Sequence, residues 1–130
     1  MKKIPDMELA TSALRLYLVD DSLVFLNAAL NFFRHQENIE VVGTGTDAVT
    51  AITETKELQP DVILLDLDMP DINGLKAIPL LKRFTPKSRI IILSLLESAL
   101  DQKIALEAGA DDYVPKSVMY TQLMPAILQL

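Results

Sequence analysis

The stretch Val62-Ile63-Leu64-Leu65-Asp66 decides the fold: four apolar residues in a row, then a carboxylate. A short run that is apolar at every position suits a strand covered on both faces, as in a parallel sheet. Leu14 through Val19 forms a second, mostly apolar run, and it closes on Asp20-Asp21. Such strands lie side by side, so the three acids are expected to converge on the rim where strands give way to loops. Three like charges there are costly unless something cationic joins them. A hard divalent ion such as Mg²⁺ takes oxygen ligands, keeps some of its water and often recruits a phosphate, which makes it the expected cofactor. The pattern points to phosphoryl chemistry.

Outward from these runs, strand and helix patterns alternate. Ser22 or Asp21 can cap a helix reaching about His35. Ile39–Val42 reads as a second strand, ended by Gly43-Thr44-Gly45 and followed by a helix from about Thr46 to Leu58. Pro60 stops that helix before the third strand, Asp61–Leu65. A loop from Asp68 to Gly74 leads to a helix near 75–84, and Arg89–Leu93 is the fourth strand. A helix near 98–108 stops at Gly109, a natural C-terminal glycine. Asp112–Val114 is a short fifth strand, and a last helix fills 118–130. Five such units with right-handed crossovers predict an α/β, doubly wound, five-stranded parallel sheet, a three-layer flavodoxin-like sandwich of order 2-1-3-4-5. Residues 1–13 read as a poorly ordered lead-in, and residues 14–130 as one domain.

Composition narrows the function. The chain has 130 residues, half of them hydrophobic, which suits a single domain with a real core. A net charge of −6 argues against nonspecific binding to nucleic acid or a membrane surface. The basic cluster Lys76, Lys82, Arg83, Lys87 and Arg89 reads more simply as a solvated face. There is no cysteine, so disulfides and thiolate metal sites are out. No apolar segment is long enough for a signal h-region or a membrane span, so the expectation is a soluble cytoplasmic protein. His35, the single histidine, sits at a helix end, where a favourable dipole contact is the simplest reading.

Polar groups also end the later strands, Ser94 after the fourth and Lys116 just after the fifth. The pattern Asp20-Asp21, Leu65-Asp66-Leu67-Asp68-Met69-Pro70, Asn73-Gly74, Ser94 and Ala108-Gly109-Ala110-Asp111-Asp112-Tyr113-Val114-Pro115-Lys116 resembles the receiver domain of bacterial two-component response regulators. The likeness covers about residues 14–130, with every motif in order. The Val-Pro-Lys-Ser ending is most like the LuxR/NarL-type subgroup, whose members carry a C-terminal helix-turn-helix DNA-binding domain. No such domain lies within these 130 residues, and an end so soon after the last helix suggests that one was cut away.

The resemblance implies a role for each motif residue. Asp66 would be the phosphoacceptor, taking a phosphoryl group from a sensor histidine kinase or phosphotransfer protein. Asp21 and Asp66 would ligate Mg²⁺ directly, Asp20 through water, and the backbone carbonyl of Asp68 would add an oxygen. Lys116 would pair with one phosphoryl oxygen and the Ser94 hydroxyl with another. Tyr113 would be the switch aromatic, repacking inward with Ser94 on phosphorylation. The output would be a transcriptional domain or partner, with a homodimer formed on phosphorylation and no direct nucleic-acid contact by this domain. It would be a signalling switch that catalyses only its own phosphoryl transfer and dephosphorylation.

Two other readings compete. Gly43-Thr44-Gly45-Thr46-Asp47-Ala48 fits a dinucleotide fingerprint, although it follows the second strand and the chain is short for two nucleotide-binding halves. Asp66-Leu67-Asp68 also resembles the nucleophile motif of haloacid-dehalogenase-type phosphatases, with Asp68 as general acid. There a Thr or Val is usual where Pro70 stands, and that strand comes first in the chain.

Three features depart from the receiver pattern. The residue after Ser94 is normally small, and Leu95 there is expected to act as an access gate, slowing entry of phosphate and its hydrolytic loss. Pro79 and Pro125 fall inside predicted helices, so either these helices begin late or they kink. In the first helix, Phe25, Ala29 and Phe32 can face the sheet, while Leu23, Leu26, Leu30 and Phe33 form a second stripe that is either extra core or, with Leu26 and Leu30 exposed, a surface that docks a kinase helix or another copy.

Overall fold

The computed structural model describes residues 13–67, 69, 73–95 and 98–129. The lead-in apart from Ala13, together with Asp68, Pro70 and Leu96, lies outside them. Five parallel strands, β1 (Leu14–Val19), β2 (Ile39–Gly45), β3 (Val62–Leu65), β4 (Arg89–Ser94) and β5 (Asp112–Pro115), form one sheet of order β2-β1-β3-β4-β5. The helices are α1 (Leu23–Arg34), α2 (Ala48–Leu58), α3 (Gly74–Phe84), α4 (Ala99–Glu107) and α5 (Met119–Gln129), with a 3₁₀ turn at Lys116–Val118 before α5. The expected fold class and strand order are those observed.

Strand alternation sorts the apolar residues into two cores. Tyr17, Val19, Ile63, Leu65, Ile90, Ile92 and Tyr113 point to the layer of α2, α3 and α4. Leu16, Leu18, Val62, Leu64, Ile91, Leu93 and Val114 point to α1 and α5. Each large aliphatic side chain removed from water contributes about 1.5–3 kcal/mol, so a sheet filled on both faces is the main stabilising element.

The second strand is longer than its sequence suggests. The pairing of β1 with β2 shifts between Leu16↔Val41 and Tyr17↔Gly43, then continues to Val19↔Gly45. A bulge therefore carries the strand through the glycines, where the alternation breaks at Val41-Val42. Those glycines have a packing reason. A Cβ on Gly43 would stand 2.8 Å from the Tyr17 ring, and one on Gly45 2.8 Å from its hydroxyl. The fingerprint-like spacing is thus room for a buried tyrosine.

Helix α1 uses most of its second stripe as extra core, the first of the two readings. Leu26, Ala29 and Phe33 are buried, while Phe25, Leu30 and Phe32 are half-buried and pack against the same core. Leu26 is only 4% accessible and Leu30 is partly covered, so the exposed, docking reading of these two does not hold. Ala29, fully buried, lies in the middle of this stripe. The large side chains left in solvent on α1 are Leu23 and Val24.

Both helix prolines lie well past the first turn, Pro79 in α3 and Pro125 in α5, and both face solvent. The late-start reading is therefore wrong. Gly109 does end α4, with φ of +120°. His35 caps α1 and its ring lies 2.9 Å from the Asn31 carbonyl, the contact expected at a helix C-terminus. In the basic cluster, Lys82 pairs with Asp111 at 2.6 Å and Arg83 lies over the Phe84 ring. Among the described residues, no helix is long and apolar enough to cross a membrane.

Candidate functional site

Strand register assembles the site. Val19 pairs with Leu65, and the Asp66 amide donates to the Val19 carbonyl at 2.9 Å, so the acids after β1 and β3 become neighbours. Carboxylate oxygens of Asp20, Asp21 and Asp66 lie within 4.8 Å of one another. Asp20 and Asp66 are buried and Asp21 is exposed. At the far side of the crevice, Ser94 pairs with Pro115, which delivers Lys116 to the same rim.

Lys116 reaches across this rim. Its ammonium donates to Asp20 Oδ2 at 2.6 Å and lies 4.0 Å from Asp66 Oδ1, with 11% of its side chain exposed. The other oxygen of Asp20 accepts the Ser22 amide at 2.9 Å, while the Ser22 hydroxyl caps α1 by accepting the Phe25 amide at 3.1 Å. Asp20 is thus fixed from both sides. Ser94 is fully buried at the end of β4, and Leu95 beside it is 76% exposed.

Tyr113 differs from expectation in its starting place. It is already buried, 6% accessible, within the core beneath α3 and α4. It shares that core with Ala105 and Ala110. Asp68 lies outside the described residues, so its carbonyl cannot be placed.

Two contributors escape a reading of strand ends. A Cβ on Gly74 would stand 2.6 Å from Leu67 Cα and 2.9 Å from the Asp66 carbonyl, so α3 begins hard against the backbone that carries Asp66. The Asn73 side chain caps that helix by accepting the Leu75 amide at 2.8 Å, a signal that Asn73-Gly74 does carry in sequence. The second is Phe25, whose ring centroid lies 4.0 Å from the Lys116 ammonium.

A family model described as the response regulator receiver domain matches residues 16–128. The chain belongs to this family. This receiver is 32% identical over 115 residues to the response regulator protein VraR of Staphylococcus epidermidis, covering 88% of this chain and 55% of VraR. It thus spans about half the length of that relative. It is 30% identical over 113 residues to the chemotaxis protein CheY of Thermotoga maritima, 87% of this chain and 93% of CheY. The crystal structure of a LuxR-family response regulator from Aurantimonas sp. SI85-9A1 superposes with a TM-score of 0.85 at 29% identity, covering 91% of this chain and 84% of that one. The matched span includes the acid pair, Asp66 and Lys116 together, and the phosphatase reading has no support.

Proposed function

We propose that this receiver accepts a phosphoryl group on Asp66 from a phosphohistidine of a sensor kinase or phosphotransfer protein, with Mg²⁺ as cofactor. The observation that carries this reading is the convergence of three carboxylates within 4.8 Å and one ammonium 4.0 Å from Asp66. An Asp66 oxygen attacks phosphorus, the P–N bond breaks, and the histidine leaves carrying a proton. An all-oxygen donor set with one acid exposed suits a hard cation that keeps part of its water. Asp21 and Asp66 would hold the ion and Asp20 would act through water, with a carbonyl from Asp68 added. When bound, the ion neutralises charge on the transferring group.

Lys116 and Ser94 then hold the phosphoryl oxygens, in the roles the family pattern gives them. Moving Lys116 off Asp20 toward the new charge couples the site to β5. Tyr113, already inside, is held there by the phosphorylated arrangement, which shifts an existing equilibrium at the face of α4, β5 and α5. The output in this reading is a transcriptional domain or partner in the cytoplasm, with pairing of two copies on phosphorylation. Residues 14–130 act as the whole receiver unit.

The test is intact-protein mass after incubation with a small phosphodonor, with and without Mg²⁺, on wild type and Asp66→Asn. One added phosphoryl group that needs both the ion and Asp66 is expected. An adduct that survives Asp66→Asn would overturn the assignment, as would absence of any adduct even with a phosphorylated histidine donor.

A further inference from the structure

The order of contacts around Lys116 closes into a ring. The Asp20 carboxylate accepts the Ser22 amide, the Ser22 hydroxyl accepts the Phe25 amide, the Phe25 ring faces the Lys116 ammonium, and that ammonium donates back to Asp20. The first turn of α1 therefore fixes the acid and the aromatic that flank the same cation. Serine at the cap determines both, because one residue supplies the amide and the hydroxyl.

A ring face attracts a cation by its quadrupole, and the attraction is strongest where water is excluded. Lys116 is in such a place, with its side chain 11% and its partner Asp20 2% exposed. An aromatic face also differs from a carboxylate as a holder. It neither binds a metal ion nor fixes the direction of an N–H bond, so the ammonium can pivot on it. From its present position the ammonium has Asp20 at 2.6 Å and Asp66 at 4.0 Å, and a short swing exchanges the first for a group carried on the second.

We propose that Phe25 is a positioning residue for phosphoryl transfer: its ring holds the Lys116 ammonium over the acid cluster while the cation moves from Asp20 to the phosphoryl oxygen on Asp66. The inference rests on Asp66 being the phosphoacceptor. The ring takes no part in the chemistry and acts through Lys116 alone.

Two measurements test it. The first is the NMR shift of the Lys116 ε-methylene protons, without phosphodonor. They are displaced upfield by the ring current in wild type, remain so in Phe25→Tyr, and return to ordinary lysine values in Phe25→Leu. Ordinary values in the wild type overturn the inference whatever the phosphorylation result. The second is the rate of Asp66 phosphorylation, which falls about threefold to thirtyfold in Phe25→Leu, the range that cation–π strengths imply, and is restored in Phe25→Tyr. In a Lys116→Met background the Phe25→Leu change has no further effect. Additive losses in that cycle would sink this inference and leave the phosphoacceptor reading standing, whereas a wild type that takes no phosphate on Asp66 overturns both. If Phe25→Leu does not fold, pentafluorophenylalanine at position 25 keeps the ring and reverses its quadrupole. Transfer then slows if the inference holds, and a wild-type rate overturns it.

Discussion

Lys116 and Asp20, 96 positions apart in sequence, meet at 2.6 Å in a nearly dry crevice, so the ammonium sits closer to this acid than to Asp66, 4.0 Å away. Its removal leaves three carboxylates facing one another. Lys116→Met is expected to destabilise the fold by about 3–5 kcal/mol in metal-free buffer, the scale for breaking a buried pair. Added Mg²⁺ should restore more stability to the variant than it adds to wild type, because Lys116 no longer competes for Asp20. Urea unfolding with and without Mg²⁺ measures both, and equal gains would show that the ion does not share these acids with Lys116.

Gly74 tests how the backbone after Asp66 is held. With Leu67 Cα 2.6 Å from where a Cβ would go, an alanine must move backbone and cannot merely turn a flexible side chain. Gly74→Ala is expected to cost about 1–3 kcal/mol, the usual overpacking range. Phosphorylation should slow as well, since the displaced segment carries Asp66, the proposed phosphoacceptor. A variant with wild-type stability in a melting experiment would contradict the close approach.

The strand ends were legible because an uninterrupted apolar run closing on a polar residue has few other interpretations. The same logic reached Asp20, Asp66, Ser94 and Lys116, which the structure brings to one rim. It reached less at β2, an edge strand whose bulge at Val42 hides its continuation through Gly45. For α1, nine of the twelve residues are apolar, and periodicity alone cannot select a face. The structure places Leu26, Ala29 and Phe33 inside. The Phe25 contact with Lys116 joins the first helix to the turn after the last strand and has no local signature at all.

Tyr17 gives a pH prediction. It is fully buried, its hydroxyl bonds to Glu54, and burial first, then the bond and charge of Glu54 and the charge of Asp47, push its pKa well above the ordinary tyrosine range. Below about pH 10 both folded and unfolded chains keep the proton. Above it the unfolded chain releases the proton while the folded chain retains it, so this contribution to stability declines as pH rises. Tyr17→Phe should therefore lose stability less steeply than wild type above about pH 10, by chemical denaturation at stepped pH. Parallel curves would refute the shift.

Pro79 offers a gain of stability. It stands in mid-helix on the solvent side of α3, where its missing N–H leaves the Leu75 carbonyl without the usual helical donor. Pro79→Ala should stabilise the domain by about 1–3 kcal/mol, up to the full propensity difference. A melting temperature at or below that of wild type would mean that the proline fits a bend the rest of the domain requires.

Leu95 follows Ser94 beside the site, where the receiver pattern leads one to expect a small residue. Its side chain is 76% exposed, directly after fully buried Ser94. So exposed a side chain contributes little packing, and Leu95→Ala should change stability by no more than about 0.5 kcal/mol. Any change in rate can then be assigned to access. If the side chain guards the path to Asp66, the alanine variant takes phosphate from a small donor several-fold faster. It also loses phosphate to water faster, because donor and attacking water use the same opening. Phosphorylation and decay followed by intact-protein mass give the two rates. Acceleration of both is the gate's signature, and two unchanged rates would remove Leu95 from the mechanism.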